Sequence, residues 1–139
     1  MGVFRSDDDM ISLLYVEDEE YSRLMLQRAI SRKFPTIKIH TASDGKLGLE
    51  LYRKISPDIV LTDINMPLMN GILMASEIKK LNPETEILIL SAQKESFYES
   101  DSSKLNISHF LHKPIVFEDV FHAIESTVAS ITSRSIGFY

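Results

Sequence analysis

Five residues of the 139-residue chain have side chains suited to metal or phosphoryl chemistry, and each lies just after a short apolar run: Glu17, Asp18, Asp63, Ser91 and Lys113. If these runs are parallel strands, their carboxyl ends share the edge of the sheet at which ligands bind. Three carboxylates at one edge repel each other unless a cation joins them, and Mg²⁺ prefers oxygen ligands of this kind. With the hydroxyl of Ser91 and the charge of Lys113, such a pocket is suited to holding a phosphoryl group on a carboxylate nucleophile.

The elements that must position these residues alternate along the chain. Patterns typical of strands and of helices follow one another at 11–16, 21–33, 36–41, 44–55, 59–62, 72–81, 87–90, 94–105, 108–111 and 117–131. Strict alternation of this kind predicts a parallel sheet with helices on both faces. Because crossovers between parallel strands are right-handed, the expected α/β fold is a doubly wound five-stranded sheet.

Four of these segments carry additional signals. The run at 36–41 alternates apolar and polar residues, which indicates a sheet edge, whereas 59–62 is apolar throughout, as in a strand covered on both faces. Asp44 offers a side-chain cap for the second helix. The segment at 94–105 has few apolar residues, which predicts a helix of low local stability.

Composition excludes several classes of function. The length suits one domain, and we expect a tail over 1–9, a domain over 10–132, and a tail or the start of a linker over 133–139. There are no cysteines, so disulfides, zinc–thiolate sites and cysteine nucleophiles are excluded. The net charge of −5 disfavours contact with nucleic acid or an anionic membrane. No apolar stretch has the pattern of a signal peptide or a membrane span, so a cytoplasmic location is expected.

From about residue 10 to residue 132, the sequence resembles the receiver domain of two-component response regulators, as in the chemotaxis regulators. The motifs that carry the resemblance lie at successive strand ends: Glu17-Asp18, Asp63, the loop from Asn65-Met66-Pro67 to Gly71, Ser91-Ala92 and Lys113-Pro114. Each motif is weak alone, but their order and placement together are highly specific. The resemblance implies a flavodoxin-like sheet with the strand order 2-1-3-4-5.

The resemblance also implies roles for the acidic residues. Asp63 would be the phosphoacceptor. Asp18, Asp63 and the main-chain carbonyl of Asn65 would ligate Mg²⁺, with Mn²⁺ as an alternative ion, and Glu17 would act through a bound water. Glu17 stands where Asp is frequent in the family, and its longer side chain suits a water-mediated contact.

Further residues would bind the phosphoryl group and transmit its presence. The resemblance implies that Lys113, Ser91 and the main chain of Ala92 bind it, and that the Lys113–Pro114 peptide bond is cis. Ser91 and Phe110 would form a switch, in which Ser91 moves toward the phosphoryl group and Phe110 fills the vacated space. Thr is frequent in the family at the position of Ser91, and Tyr at that of Phe110.

The implied function is a signalling switch and not a metabolic enzyme. Asp63 would receive its phosphoryl group from a sensor histidine kinase or a phosphotransfer protein, and the chain would catalyse only its own phosphorylation and dephosphorylation. Phosphorylation would remodel the face made by 94–105, 108–111 and 117–131, which a downstream protein or an output domain would recognise. The same face offers a dimer contact.

Three other functions stay open on the sequence. Phosphatases with an aspartate nucleophile generally need a second Asp two residues later, where this chain has Asn65. Flavodoxin-type cofactor binders have a loop rich in Ser, Thr and Gly after strand 1, where this chain has acidic residues at 17–20. A degenerate receiver would keep the fold and act through protein contacts alone. The sequence also leaves open whether the receiver stands alone or belongs to a longer regulator or a hybrid kinase.

Overall fold

The computed structural model describes residues 10–94, over which strands and helices alternate, and residues 105–135, which form a strand and a helix. In chain order the elements are β1 Ser12–Val16, α1 Glu20–Lys33, β2 Lys38–Ala42, α2 Gly45–Ile55, β3 Ile59–Asp63, α3 Gly71–Leu81, β4 Glu86–Ser91, β5 His109–His112 and α4 Phe117–Ser135. The helix expected at 94–105 falls almost entirely outside the described residues and stays a prediction.

The described strands form one parallel five-stranded sheet in the order β2-β1-β3-β4-β5. This confirms the doubly wound α/β fold and its strand order. β2 lies at an edge and is only partly buried, whereas every residue of β3 is buried, as their patterns predict. The register pairs Val16 of β1 with Thr62 of β3. The residues that follow them, Glu17 and Asp63, therefore lie level with each other at the carboxyl edge.

Apolar clusters on both faces hold the sheet. Leu26 of α1 and Ile124 of α4 pack in the cluster on one face, and Tyr52 of α2 with Met74 and Ile78 of α3 pack in the cluster on the other. Each of these residues lies on the face of its helix that packs against the sheet. Full burial of such a side chain stabilises the fold by roughly 1.5–3 kcal/mol. The strand ends are therefore anchored to a packed core.

Three helices begin at side chains that accept hydrogen bonds from the first turn. Asp44 caps α2, as predicted, and Asn70 caps α3; each accepts a bond of 2.8 Å from the backbone N–H three residues further on. Glu19 caps α1 by accepting from Tyr21 N at 3.1 Å and from Ser22 N at 2.7 Å. Such caps satisfy amide groups that a helix start leaves unpaired. They fix where α1 and α3 begin beside the strand ends.

The last helix, α4, ends later than predicted. It continues to Ser135 instead of stopping near Ile131, so residues 132–135 are helical. Ile131 is buried, and Arg134 Nη1 lies 2.6 Å from Glu86 Oε2. Contacts on both sides of the expected end therefore extend the helix. Neither this nor any other helix in the described ranges has the length and apolar content to cross a membrane.

Candidate functional site

The loop after β1 carries two carboxylates. Glu17 N donates to Ala42 O of β2 at 3.1 Å, so the loop begins as a continuation of the sheet. The Glu17 side chain is buried, and its Oε2 accepts a hydrogen bond from Glu19 N at 3.1 Å. Asp18 is exposed, which leaves its carboxylate accessible to a hydrated ion.

Asp63 is the last residue of β3 and is only 7% exposed. Its Oδ1 accepts a hydrogen bond from Ile64 N, and its Oδ2 accepts one from Lys113 Nζ, both at 2.9 Å. A Cβ atom on Gly71 would lie 2.0 Å from the Asp63 carbonyl oxygen, so only glycine lets α3 begin this close to the strand end. The buried carboxylate is therefore held by a main-chain amide at one oxygen and by a lysine at the other.

Glu17, Asp18 and Asp63 lie close enough to share one cation. One carboxylate oxygen from each residue lies within 4.8 Å of the other two. A set of oxygen donors with one exposed member suits Mg²⁺, which usually keeps several of its waters. Among the residues that the structure describes, Lys113 is the lysine that pairs with one of the three carboxylates, that of Asp63. The residues present therefore fit a divalent cation.

The electrostatics of the buried groups reflect this crowding of negative charge. Burial raises the pKa of Glu17, and the charge of Asp63 raises it further. The hydrogen bond from Glu19 N and the charge of Lys113 act in the opposite direction without cancelling the rise. Burial, together with the charges of Glu17 and Asp63, also raises the pKa of the neighbouring Tyr15, so its phenol stays neutral. A cation among these carboxylates would relieve their repulsion.

Ser91 and Lys113 are positioned by the ends of β4 and β5. Lys113 N donates to Ser91 O at 2.7 Å, and the Lys113–Pro114 peptide bond is cis, as the resemblance implies. Ser91 is buried, and its Oγ accepts a hydrogen bond from Gln93 N at 3.0 Å. Ala92 is exposed. The residues predicted to bind a phosphoryl group thus lie at the same edge as the three carboxylates.

Two other residues singled out in the sequence lie in the loop after β3 and in β5. Asn65 is exposed in the loop that leads from β3 to α3. Phe110 of β5 is half-buried and packs against the apolar cluster on the side of α2 and α3. The metal role of Asn65 and the switch role of Phe110 stay predictions.

Sequence reasoning missed two residues that shape the site. Arg23 of α1 reaches back and donates from Nη1 to Glu17 O at 2.8 Å. Glu19 both caps α1 and donates its N–H to the Glu17 carboxylate. An acidic residue directly before a helical pattern is a usable signal for a cap, although Ser, Thr, Asp and Asn are more frequent there. No comparable signal distinguishes Arg23 from a solvated arginine on a helix.

A cavity of about 480 Å³ opens beside the carboxylates, between α1 and the segment that enters α4. Glu17 and Lys113 form part of its wall, and the rest is mostly apolar, including Met25, Ile115 and Phe117. The carboxylate cluster thus borders a space large enough for side chains of another molecule.

The fold and the site define a class of α/β protein in which a buried strand-end aspartate is flanked by acidic residues and a lysine. Comparison with known proteins identifies the family, because residues 13–125 match the response regulator receiver domain. The chain belongs to this family, whose members act in two-component signal transduction.

Individual relatives agree with this assignment. The chain is 32% identical over 112 residues to the chemotaxis protein CheY of Thermotoga maritima, a match that covers 81% of this chain and 92% of that protein. Among solved structures, the N-terminal domain of an uncharacterized protein from Wolinella succinogenes is 30% identical, with a TM-score of 0.81 and coverage of 89% and 98%. The response regulator TrrA of Thermotoga maritima, in complex with Mg²⁺–BeF, is 28% identical, with a TM-score of 0.74 and coverage of 85% and 99%.

Proposed function

We propose that the chain accepts a phosphoryl group on Asp63 in a Mg²⁺-dependent reaction, and that this modification switches a protein-interaction surface. One juxtaposition carries the proposal. Asp63 Oδ2 lies 2.9 Å from Lys113 Nζ, and an Asp63 oxygen lies within 4.8 Å of oxygens of Glu17 and Asp18. A carboxylate nucleophile beside a fixed positive charge and a set of metal ligands has the groups that phosphoryl transfer requires.

The proposed metal ligands are Asp18, Asp63 and the main-chain carbonyl of Asn65, with Glu17 reaching the ion through a water. Mg²⁺, or Mn²⁺ in its place, supplies positive charge that offsets the charge on the phosphoryl oxygens. The oxygen-rich cluster of this chain supports this ligand set. The Mg²⁺–BeF complex of TrrA, which has the same fold, supports it as well.

The proposed donor is a phosphohistidine of a sensor histidine kinase or a phosphotransfer protein. A carboxylate oxygen of Asp63 attacks the phosphorus in line; the P–O bond to Asp63 forms, the P–N bond to the donor breaks, and its electron pair returns to the imidazole. Lys113 Nζ, the Ser91 hydroxyl and the Ala92 N–H bind the phosphoryl oxygens. Water later hydrolyses the acyl phosphate and regenerates the Asp63 carboxylate.

The added negative charge then biases an element with two arrangements. Ser91 Oγ, which accepts a hydrogen bond from Gln93 N at 3.0 Å, turns toward the phosphoryl group. Phe110 moves into the space that Ser91 leaves. The remodelled face along β5 and α4 is recognised by a downstream protein or an output domain, and it also offers a dimer contact.

The surface beside the site suits a protein donor. Tyr21 and Phe117, which are 69% and 42% exposed, line the cavity that borders Lys113. Exposed apolar surface of this kind is typical of a protein-interaction site, and its position next to the nucleophile favours the phosphodonor as the occupant. A cytoplasmic location, without direct contact to nucleic acid or membrane, completes the proposed role.

The test uses Asp63→Asn and a matched control, Asp119→Asn, which changes an exposed residue of α4. Each chain is incubated with acetyl phosphate and Mg²⁺, and intact-mass spectrometry measures phosphoryl uptake. We expect uptake by the wild-type chain and by Asp119→Asn. We expect none by Asp63→Asn, because its amide oxygen is a poor nucleophile.

Two outcomes would contradict the proposal. Uptake by Asp63→Asn at the wild-type level would show that another residue is the acceptor. A wild-type chain that takes up no phosphoryl group, from acetyl phosphate or from a phosphorylated histidine kinase, would favour a degenerate receiver that acts through protein contacts alone.

A further inference from the structure

We infer that Arg23 is a positioning residue for the metal site and fixes the peptide group between Glu17 and Asp18, so that both carboxylates face the cation. The inference rests on the proposed function, because it takes Mg²⁺ to bind at Glu17, Asp18 and Asp63. The observation behind it is the hydrogen bond of 2.8 Å from Arg23 Nη1 to Glu17 O.

This hydrogen bond can orient both carboxylates because of the atom that accepts it. The Glu17 carbonyl belongs to the planar peptide group that joins Glu17 to Asp18, so a bond to that oxygen restrains the orientation of the whole plane. Asp18 is exposed, and its orientation depends strongly on the main chain that carries it. Arg23 thus acts on the backbone between the two carboxylates without contacting either carboxylate itself.

Other contacts make the segment from Glu17 to Arg23 one hydrogen-bonded unit. Glu17 N donates to Ala42 O at 3.1 Å, and the Glu17 carboxylate accepts from Glu19 N at 3.1 Å. Arg23 N donates to Glu19 O at 3.0 Å, which closes the first turn of α1. The guanidinium adds a charge-assisted bond, which is stronger than a bond between neutral groups. The start of α1 is therefore tied to the metal-binding loop through both the main chain and the side chain of Arg23.

A positioning role and a purely electrostatic role of Arg23 predict opposite changes in Mg²⁺ affinity when the residue is removed. Its guanidinium is a positive charge beside the peptide group that joins Glu17 to Asp18, and that charge opposes the binding of a cation. If charge alone mattered, removing Arg23 would tighten Mg²⁺ binding. If the residue acts by positioning the loop, removing it weakens binding. The sign of the change therefore distinguishes the two effects.

The experiment is a calorimetric titration of the full chain with Mg²⁺ at constant pH and ionic strength. It compares the wild type with Arg23→Gln, Arg23→Lys and a control, Arg28→Gln, which removes an exposed arginine from the same helix. We expect Arg23→Gln to bind Mg²⁺ at least roughly tenfold more weakly, as is typical when a residue that supports metal ligands is lost. Arg23→Lys should be intermediate, because the ammonium keeps the charge but not the planar fork. Arg28→Gln should bind like the wild type.

A second readout separates positioning of the metal ligands from general damage to the fold. At saturating Mg²⁺, Arg23→Gln should be phosphorylated by acetyl phosphate at the wild-type rate. Persistent loss of rate under that condition would overturn the inference. Thermal unfolding in EDTA establishes that each variant folds; if Arg23→Gln does not, Arg23→Lys decides, and wild-type affinity in that variant would overturn the inference.

Three further results would count against it. An Arg23→Gln chain that binds Mg²⁺ as tightly as the wild type, or more tightly, overturns the positioning role. So does an equal loss of affinity in Arg28→Gln. If the wild-type chain does not bind Mg²⁺ at all, the proposed metal site fails, and the inference about Arg23 fails with it.

Discussion

Glu86 begins β4 at the amino edge of the sheet, and Glu17 follows β1 at the carboxyl edge; both carboxylates are largely buried. Each oxygen of Glu86 has a donor. Ser108 Oγ donates to Oε1, and Arg134 Nη1 donates to Oε2 at 2.6 Å. Burial acts to raise the pKa of Glu86, but the hydrogen bonds from Arg134 and Ser108 outweigh burial and lower it.

Glu17 is in the opposite situation. Burial raises its pKa, and the hydrogen bond from the neutral Glu19 N–H does not compensate for this. Its acidic neighbour Asp63 already accepts the hydrogen bond from Lys113, so within the described part of the chain the ion pair at this edge leaves Glu17 and Asp18 without a lysine of their own. The charge of Glu86 at the amino edge is thus neutralised within the fold, whereas the carboxyl edge leaves negative charge for a ligand to neutralise.

The comparison indicates how to distinguish a structural charge cluster from a binding site. A buried carboxylate that is paired by the protein itself mainly contributes to stability, and breaking its pair is expected to destabilise the fold. Carboxylates that are crowded together without enough cations place negative charge where a divalent ion can bind. Experiments that treat the two edges in parallel can therefore confirm or refute the distinction.

The largest expected effect comes from removing the lysine at the carboxyl edge. We expect Lys113→Gln to lower the rate of phosphorylation by acetyl phosphate by on the order of a hundredfold, because a group that stabilises the phosphoryl charge is lost. Mg²⁺ binding should persist, since removing a positive charge does not weaken attraction for a cation. Mass spectrometry over time measures the rate, and calorimetry measures the affinity.

The matched control for this substitution lies near the other edge. Lys79 Nζ donates to Pro83 O at 3.1 Å, and the charge of Glu86 acts on Lys79. Lys79→Gln should leave the phosphorylation rate unchanged. Equal phosphorylation rates for Lys113→Gln and the wild type would contradict a functional role of the lysine at the carboxyl edge. An equal loss of rate in Lys113→Gln and Lys79→Gln would show that the effect is not specific to that edge.

Mg²⁺ should stabilise the folded chain by binding at the carboxyl edge. At a free Mg²⁺ concentration ten times its dissociation constant, we expect the free energy of unfolding of the wild type to rise by about 1.4 kcal/mol. Asp18→Asn should lose most of this gain, because it removes an accessible carboxylate of the cluster. Urea unfolding with and without Mg²⁺ measures the gain, with NaCl at equal ionic strength as the control. The same gain with NaCl, or an undiminished gain in Asp18→Asn, would argue against a specific site.

The fold and the centre of the site were predictable because they depend on local patterns. The alternation of strand and helix patterns determines the order of elements, and parallel strands bring their carboxyl ends to one edge. Asp63 and Lys113 could therefore be assigned to one site although 50 residues separate them in the chain. Asp44 could be identified as a cap because capping depends on the residues that follow directly in sequence.

Contacts set by tertiary packing could not be predicted in the same way. In the sequence, nothing distinguishes Arg23 and Arg134 from solvated arginines on a helix. In the structure, Arg23 binds the main chain of the site and Arg134 holds the end of α4. The hydrogen bond between Arg134 and Glu86 joins residues 48 positions apart, and no local sequence pattern predicts it. The predicted end of α4 near Ile131 was wrong for this reason. The prediction relied on the spacing of apolar residues, and that spacing does not indicate the ion pair beyond Ile131.

The smallest expected effect concerns that ion pair at the amino edge. We expect Arg134→Gln to lower the free energy of unfolding by about 0.5–1 kcal/mol at neutral pH, a modest value because solvent screens a partly exposed pair. Arg134 is 44% exposed, whereas Glu86 is 17% exposed. Phosphorylation and Mg²⁺ binding at the carboxyl edge should not change.

The pH dependence of this effect follows from the lowered pKa of Glu86. A carboxyl group whose pKa is lower in the folded state stabilises the fold above its ordinary pKa, and the contribution is lost as the pH falls through the folded-state value. The difference between the wild type and Arg134→Gln in urea unfolding should therefore narrow as the pH is lowered from neutral to about 3. Arg32→Gln, which removes an exposed arginine of α1, controls for net charge. A difference that stays constant with pH would mean that Glu86 does not depend on Arg134, and a change in Mg²⁺ affinity would mean that the two edges are coupled.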